Sequence, residues 1–244
     1  MRLLVGNTYK SNNYGDFKIV GIYSDGRFII RFVETGYTTI VERQILIRGK
    51  VKDKKRATVY GVGVIGDKYP CQVGGKRKLE YALWKGMLRR CYSPKEQAKN
   101  PTYEGCTVSE NFKSYEYFYE WCQEQKGFGL PDWQLDKDLL VKGNKVYSED
   151  TCCFLPRVLN SAIANKRSEV NKIPIGVRKD KNGKFFGYCR VEEGRPIVSI
   201  PYDTIDEALE FYRTIRKEYV RRMARSYKKE LSDKAFKALM LYSP

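Results

Sequence analysis

The sequence predicts an α+β protein made of several small modules. Residues 1–66 alternate apolar and polar residues in short runs, residues 133–167 follow the order strand, loop, strand, helix, and residues 172–222 suit three strands and a helix. A chain of 244 residues is long enough for two or three small hydrophobic cores. We therefore predict a small β domain over 1–66, a central core with flanking helices over 75–168, a sheet-and-helix domain over 172–222 and a basic helical tail over 223–244.

The charge balance favours an anionic partner. Lys and Arg total 46 against 29 Asp and Glu, a formal net charge of +17, and such an excess makes a folded chain repel itself. Double-stranded DNA is the first candidate, because each phosphate that a cation neutralises releases counterions. A basic protein with no such partner and a protein that binds an acidic host factor are the alternatives.

Three features that the sequence lacks limit the expected location of the protein and the reactions that it could catalyse. No apolar run approaches about 18 residues, so we expect no membrane span, and the apolar start of the chain is too short for a signal peptide. The seven cysteines show no Cys-x-x-Cys spacing, which favours reduced thiols in the cytoplasm. The chain has no histidine, which excludes histidine as a general base and as a zinc ligand.

Residues 1–66 are expected to form a small β-barrel-like domain of short strands. Ser24, Asp25 and Gly26 mark a hairpin turn between two of these strands. The basic run 52–56 near the end of the module is either a linker or a phosphate contact.

Two helices are predicted before the central strands. Residues 78–92 carry Leu79, Leu83 and Met87 at helical spacing, and Arg89 and Arg90 fall on a basic side that we expect to contact DNA. The second helix covers 110–125. Its regularly spaced apolar residues suit a hydrophobic core better than a platform for stacked bases, and they are Phe112, Tyr115, Phe118, Tyr119 and Cys122.

The strand predicted over 184–191 has two different faces, because side chains alternate along a strand. One face suits packing on a helix and carries Phe185, Gly187, Cys189 and Val191. That helix begins at Thr204, where Glu207 completes a capping box. The other face presents aromatic rings and guanidinium groups to solvent. We expect it to enter the major groove and contact DNA through Arg178, Lys184, Tyr188, Arg190 and Arg195.

The same residues carry a resemblance to a known family. Gly176-Val177-Arg178, Gly183-Lys184-Phe185 and Arg190, followed by a helix, resemble the AP2 DNA-binding domain over about 50 residues. The resemblance implies that the sheet binds DNA. Asp180 and Asn182 stand where the plant transcription factors carry Arg and Trp, so no base preference is implied. A generic sheet-and-helix module that binds protein is the alternative.

The central segment 133–167 resembles the ββα-metal core of the HNH, or His-Me finger, homing endonucleases of phages. The resemblance rests on Trp-x-Leu-Asp-Lys-Asp, then Gly-Asn-Lys-x-Tyr-Ser, then Cys-x-Phe-Leu-Pro and an Asn on the following helix. It implies one divalent metal, Mg²⁺ or Mn²⁺, held by Asp136 and Asn160. Lys137 stands where the family has its catalytic histidine. Nucleases of this kind often carry an AP2 domain at the C-terminus.

The missing histidine leaves several roles open. Lys137 would act as a base only if burial removed its proton, and contact with the scissile phosphate is the alternative. Asp138 shares a strand face with Asp136 and is either a base or a second metal ligand. Taken alone, an Asp-x-Asp pair at a strand end most often caps a turn, and Asn144 is expected to brace the loop.

Taken together, these patterns predict a DNA-binding hydrolase, an HNH-like endonuclease that uses one divalent metal and nicks one strand. A phage origin would place it in the host cytoplasm. The alternatives are an inactive HNH-derived protein that binds DNA as a repressor or decoy, and an inhibitor of a host protein.

Overall fold

The structure is a computed structural model that describes residues 2–164, 173–191 and 196–244. The described residues form several small sheets and a set of helices, which confirms the predicted α+β class. They divide into two compact units, Met1–Trp121 and Cys122–Pro244. Within the part of the chain that the structure describes, no helix is both long enough and apolar enough to cross a bilayer. The seven cysteines are free thiols.

The first unit opens with an antiparallel sheet whose strands lie in chain order. They are β1 (Thr8–Ser11), β2 (Gly15–Ile22), β3 (Phe28–Phe32) and β4 (Thr38–Val41), and the short helix α1 (Arg43–Ile47) follows. Alternate side chains of the strands point to one face, where they build a core of Leu3, Phe17, Ile19, Phe28, Ile30, Phe32, Tyr37, Val41, Leu46 and Val51. The edges are β1 and β4, and no pairing between them closes the described strands into a barrel.

The hairpin turn predicted at Ser24, Asp25 and Gly26 is confirmed between β2 and β3. Gly26 adopts a φ of 85°, which a glycine tolerates at no steric cost. Asp25 Oδ1 accepts the backbone N–H of Arg27 at 3.0 Å, and the N–H of Tyr23 donates to the carbonyl of Arg27 at 2.6 Å. These local contacts set the register of the hairpin.

The rest of the first unit packs helices around aromatic residues. Its elements are β5 (Ala57–Val59), β6 (Gly63–Val64), β7 (Gln72–Val73), β8 (Lys76–Arg77), α2 (Leu79–Tyr92), α3 (Pro94–Lys99), β9 (Thr107–Val108) and the helix α4 (Tyr115–Glu124), which runs past the end of the unit. Trp84 is fully buried and donates its indole N–H to the carbonyl of Phe112 at 2.8 Å. Of the residues expected in a core, Phe112, Tyr115, Phe118 and Cys122 are confirmed there with no exposed surface, whereas Tyr119 is only half-buried.

The apolar stripe predicted for α2 is wrong in part. Leu79 leaves 48% of its surface exposed, and the buried side is formed instead by Trp84, Met87, Leu88 and Cys91. These four follow the i, i+3, i+4, i+7 spacing of a helix face. Leu79 precedes Trp84 by five residues, a rotation of about 140° around the helix, so its side chain lies off the buried face and a stripe based on it is displaced.

In the second unit, the predicted order of strand, loop, strand and helix is confirmed. The strands are β10 (Trp133–Asp136), β11 (Val146–Tyr147) and β12 (Cys153–Pro156), and α5 (Arg157–Ile163) follows β12 directly. The strands β10 and β12 pair antiparallel, with Gln134 opposite Leu155 and Asp136 opposite Cys153. We refer to this pair of strands with α5 as the ββα hairpin.

Three strands and a long helix follow, as predicted. The strands β13 (Val177–Lys179), β14 (Phe185–Cys189) and β15 (Ile197–Val198) pair in that order, and α6 (Ile205–Ser226) and α7 (Asp233–Met240) complete the chain. The capping box at the start of α6 is confirmed: Thr204 accepts from the N–H of Glu207, and the Glu207 carboxylate accepts from the N–H of Thr204.

The helix α6 packs on two different structures. Near its start, Ala208 and Phe211 lie against Gly187 of β14. Near its end, Val220 and Ala224 belong to the same buried cluster as Leu155 and Leu159 of the ββα hairpin. Residues 223–244, predicted as a tail, contribute to this cluster through Ala224, Leu231, Ala235 and Leu239.

We expect Gly187→Ala to separate α6 from the three-stranded sheet. A Cβ at Gly187 would lie 2.5 Å from Phe211 Cδ1 and 2.6 Å from the backbone oxygen of Ala208. Such overpacking costs about 1–3 kcal/mol of the free energy of unfolding, which urea unfolding measures. Gly86→Ala in α2 is the control, because its Cβ would meet no atom within 4 Å and a helical alanine stabilises by about 0.5–1 kcal/mol. Equal effects of the two substitutions would contradict this packing.

Candidate functional site

Asp136 lies at the end of β10 and is nearly enclosed by protein. Only 9% of the surface of this residue is exposed to solvent. The carboxylate oxygen Oδ1 accepts the backbone N–H of Asp138 at 3.1 Å and that of Leu139 at 2.8 Å. One oxygen of Asp136 therefore caps the turn that ends the strand. Capping a turn is the alternative role expected from the sequence for an Asp-x-Asp pair at a strand end.

Burial is the main cause that raises the pKa of the Asp136 carboxyl group. The N–H of Leu139 opposes this shift, while the negative charge of Asp138 adds to it. The adjacent thiols share the apolar surroundings, and burial raises the pKa of Cys152 to about 12. The ion pairs of the described residues do not include Asp136. A bound cation would therefore relieve a real cost of burying this carboxylate.

Lys137 is 6% exposed and is held on several sides. Its ammonium donates to the carboxylate of Asp138 and, at 3.0 Å, to the carbonyl of Asn144, and it lies 5.6 Å from the centre of the Tyr147 ring. Two oxygen acceptors and the face of an aromatic ring are the neighbours that hold a lysine side chain most firmly. These contacts make Lys137 a group that holds Asp138 and the following loop in place.

The loop after Lys137 is braced by Asn144. Its Nδ2 donates to the carbonyls of Lys137 and Val146, each at 2.7 Å, and its Oδ1 accepts the N–H of Val146 at 3.0 Å. These three hydrogen bonds all go to the backbone of its own loop. Asn144 thus fixes the loop in which Lys137 and Asp138 are held, as expected from the sequence.

Asn160 reaches the same face of the hairpin as Asp136. Its Nδ2, on α5, donates to Oε1 of Gln134 on β10 at 2.8 Å. Gln134 and Asp136 are two residues apart on one strand, so their side chains share a face. The structure therefore brings the two predicted metal ligands to one side of the ββα hairpin. The role of Gln134 was missed, although the alternation in Trp-Gln-Leu-Asp places it beside Asp136.

The donor atoms suit a hard divalent cation. The Asp136 carboxylate and the Asn160 amide supply oxygens, and Mg²⁺ is commonly held by one or two carboxylates while it keeps several waters. Over the described ranges, no three or more His, Cys, Asp or Glu side chains come together as a metal-binding group. Asp138 is engaged by Lys137. The residues therefore fit an ion with two protein ligands and a hydrated remainder, and they do not fit a closed cage of protein ligands.

A second candidate surface is the face of the three-stranded sheet that α6 leaves uncovered. Gly187 and Cys189 are buried on the helix side, so Phe186 and Tyr188 point the other way. The guanidinium of the exposed Arg178 lies 3.5 Å from the centre of the Tyr188 ring. A stacked guanidinium keeps its N–H groups in the plane available to donate, which suits contact with base edges or phosphates.

The other residues predicted for this face differ in their surroundings. Arg190 is exposed, and its backbone carbonyl accepts from Arg216 at 3.3 Å. The ammonium of Lys184 pairs with the carboxylate of Asp203, and this hydrogen bond raises the pKa of Lys184. Its charge is thus partly neutralised within the protein. Arg195 lies outside the described residues.

Arg89 and Arg90, predicted to contact DNA, lie in the first unit on α2. Arg89 Nε pairs with Glu96 at 3.2 Å, and the guanidinium of Arg90 lies 5.6 Å from the centre of the Tyr103 ring. Both side chains therefore have neighbours close by in the chain, and Arg89 remains exposed.

Comparisons of the chain with protein-family models, with curated proteins and with solved structures find no match. The HNH and AP2 resemblances therefore rest on the sequence motifs alone.

We expect Asp136→Asn to stabilise the metal-free protein at neutral pH. The amide keeps an oxygen for the N–H groups of Asp138 and Leu139 and removes an ionisation that burial disfavours. Because the pKa of Asp136 is raised in the folded state, the wild type loses stability as the pH rises through that pKa. The gain in the variant should therefore shrink as the pH falls toward about 4, the ordinary range of a carboxyl group.

Urea unfolding with a chelator present, between about pH 4 and pH 8, measures this difference. Asp138→Asn is the matched control with the opposite sign, because it removes the carboxylate that pairs with the buried Lys137 ammonium. A pH-independent difference between the wild type and Asp136→Asn would refute the assignment of a buried, destabilised carboxylate.

Proposed function

We propose that the protein binds double-stranded DNA and hydrolyses a phosphodiester bond with one divalent metal, as an HNH-like endonuclease that nicks one strand. One observation carries the proposal. An antiparallel strand pair is followed directly by a helix, and Asp136 of the first strand shares a face of the hairpin with Asn160 of the helix. The net charge of +17 supports DNA as the partner.

In this proposal, Asp136 and Asn160 hold the metal. Mg²⁺ or Mn²⁺, when bound, would stabilise the charge on the phosphate and on the leaving oxygen. Asp136 has one oxygen committed to backbone N–H groups, so its other oxygen would hold the metal. Gln134 takes up the Nδ2 of Asn160, so the amide oxygen of Asn160 would be the atom that holds the metal.

Asp138 accepts the proton of the attacking water. It is the exposed carboxylate of the cluster, with 62% of its side chain accessible to solvent, whereas Asp136 is buried. Lys137 holds Asp138 by its ammonium and adds a positive charge beside the phosphate. The pair thus replaces the histidine that the chain lacks, with Asp138 as the base and Lys137 as its positioning residue.

The three-stranded sheet supplies the DNA contact. Arg178 and Arg190 are exposed cations on or beside its uncovered face, and Tyr188 gives Arg178 a rigid ring to stack on. Because α6 packs on both this sheet and the ββα hairpin, bound DNA and the metal site would keep a constant separation.

A second candidate function is DNA binding without cleavage, as a repressor or decoy. The specific observation in its favour is that the Asp136 cluster satisfies itself. Asp136 caps a turn, Lys137 pairs with Asp138, and Asn144 closes the loop. Such a network also suits a core that only maintains the fold.

We expect the wild-type protein to nick supercoiled plasmid in Mg²⁺ or Mn²⁺, and Asp136→Asn to reduce the rate about 100-fold or more, the scale of losing a charge-stabilising group. Mg²⁺ should also raise the Tm of the wild type and leave that of Asp136→Asn unchanged. Asp132→Asn is the control. It makes the same chemical change at an exposed residue whose φ of 59° suits asparagine. Retained DNA binding with no nicking in either metal would establish the second candidate instead.

We expect Arg178→Ala and Arg190→Ala each to weaken binding to duplexes selected from a random pool by about 1–3 kcal/mol and to relax the selected sequence. Arg213→Ala is the matched control, because this exposed arginine lies on α6, which packs on the opposite face of the sheet, and pairs with Glu210. Fluorescence anisotropy at fixed salt gives the affinities. Equal losses in all three variants would show that only net charge, and not this face, is involved.

A further inference from the structure

The outer face of the first sheet carries a row of polar residues that runs across all four strands. Thr8 of β1 is paired with Lys18 of β2, Lys18 with Arg31 of β3, and Arg31 with Thr38 of β4. All four residues are exposed, since the opposite face holds the buried core. We call Thr8, Lys18, Arg31 and Thr38 the cation row.

The centre of the cation row places two positive charges directly opposite each other. Paired residues of adjacent antiparallel strands have Cβ atoms about 5 Å apart, and like charges in such pairs destabilise a sheet. The ion pairs of the described residues include neither Lys18 nor Arg31. The fold therefore keeps a repulsive pair that an external anion would relieve.

Arg31 is held in the row in a way that leaves it able to bind an anion. Its Nε donates to the hydroxyl of Thr38 at 3.2 Å, and that hydroxyl donates to the carbonyl of Gly36 at 3.3 Å. Within the described ranges, neither terminal Nη group of Arg31 takes part in a hydrogen bond or an ion pair, so both can donate to an anion. A guanidinium fixed through one N–H loses less entropy when it binds.

The cation row borders an open groove of about 550 Å³. Its floor and walls include the exposed side chains of Val5, Val20 and Val33, together with Gly6 and Gly36. A groove of this size is large enough for a sugar and its phosphate, and both apolar valines and the cations Lys18 and Arg31 line it. Lysine, arginine and threonine are among the usual contacts of DNA phosphates.

We propose that the cation row and its groove bind the phosphate backbone of DNA, an inference that rests on the proposed DNA binding of the whole chain. Charge complementarity favours DNA as the molecule that binds the cation row. A second copy of the chain carries the same net charge of +17 and would be repelled. Every charged group in the row is a donor, which matches phosphate oxygens that only accept. The first sheet thus adds a sequence-independent contact to that of the three-stranded sheet.

The test uses the full chain with the double variant Lys18→Ala/Arg31→Ala and duplex DNA over a range of salt. Losing two phosphate contacts lowers the slope of log affinity against log salt by about 1.8, so the affinity loss is about tenfold greater at about 50 mM than at about 200 mM salt. The charge-conserving variant Lys18→Arg/Arg31→Lys should keep the wild-type slope. The Tm of Lys18→Ala/Arg31→Ala should be no lower than that of the wild type, because the repulsion is removed.

The matched control is Arg48→Ala/Lys50→Ala, which removes one arginine and one lysine from exposed positions of the same unit outside the row, and neither forms an ion pair among the described residues. This control should keep the salt slope close to that of the wild type. An unchanged slope in Lys18→Ala/Arg31→Ala, with DNA binding intact, overturns the inference and leaves the proposed function standing. Binding of oligoglutamate, and not of DNA, by the cation row would also overturn the inference and would indicate an acidic protein partner instead. A wild type that binds no DNA at any salt refutes the proposed function itself.

Discussion

The apolar face of α6 is the constraint on which both candidate surfaces of the second unit depend. The helix has 22 residues, so it is about 33 Å long. Ala208 packs against β14 where Gly187 leaves room for it, and Val220 and Ala224 pack with the ββα hairpin. Because α6 is packed against the protein near both of its ends, it cannot bend without losing core contacts. The three-stranded sheet and the ββα hairpin are therefore held in one packed structure.

The candidate site on the ββα hairpin requires the burial of charged groups, which lowers the stability of the fold. Asp136 and Lys137 are both nearly enclosed, although isolated charges in a protein interior are strongly destabilising. The structure offsets this cost with backbone N–H groups for Asp136 and with Asp138 for Lys137. The compensation for Asp136 is incomplete, since burial still raises its pKa. A carboxylate left partly uncompensated suits a place where a cation binds, which is why the same residue appears in the stability and the metal arguments.

Much of the fold and part of the site were predictable from the sequence, and the limits have physical causes. Strand alternation correctly assigned Gly187 and Cys189 to the helix side of their sheet. The stripe of α2 was misplaced because periodicity gives the spacing of a buried face and only weakly its position, which Trp84 and its neighbours decide. The hydrogen bond of Gln134 with Asn160 joins residues 26 positions apart. A local sequence pattern does not indicate which of several polar residues will form a contact between such distant parts of the chain.

The sequence by itself determined the properties that depend on composition or on near neighbours. These are the net charge, the absence of histidine, the turn at Gly26 and the capping box of Thr204, because a few adjacent residues suffice to define each of them. Only the tertiary structure decided which charges meet. It paired Lys184 with Asp203, placed Lys18 opposite Arg31, and drew residues 223–244 into the core. Those outcomes depend on how strands pair and helices pack across long stretches of chain, where the free energy of burial, and not local propensity, selects the neighbour.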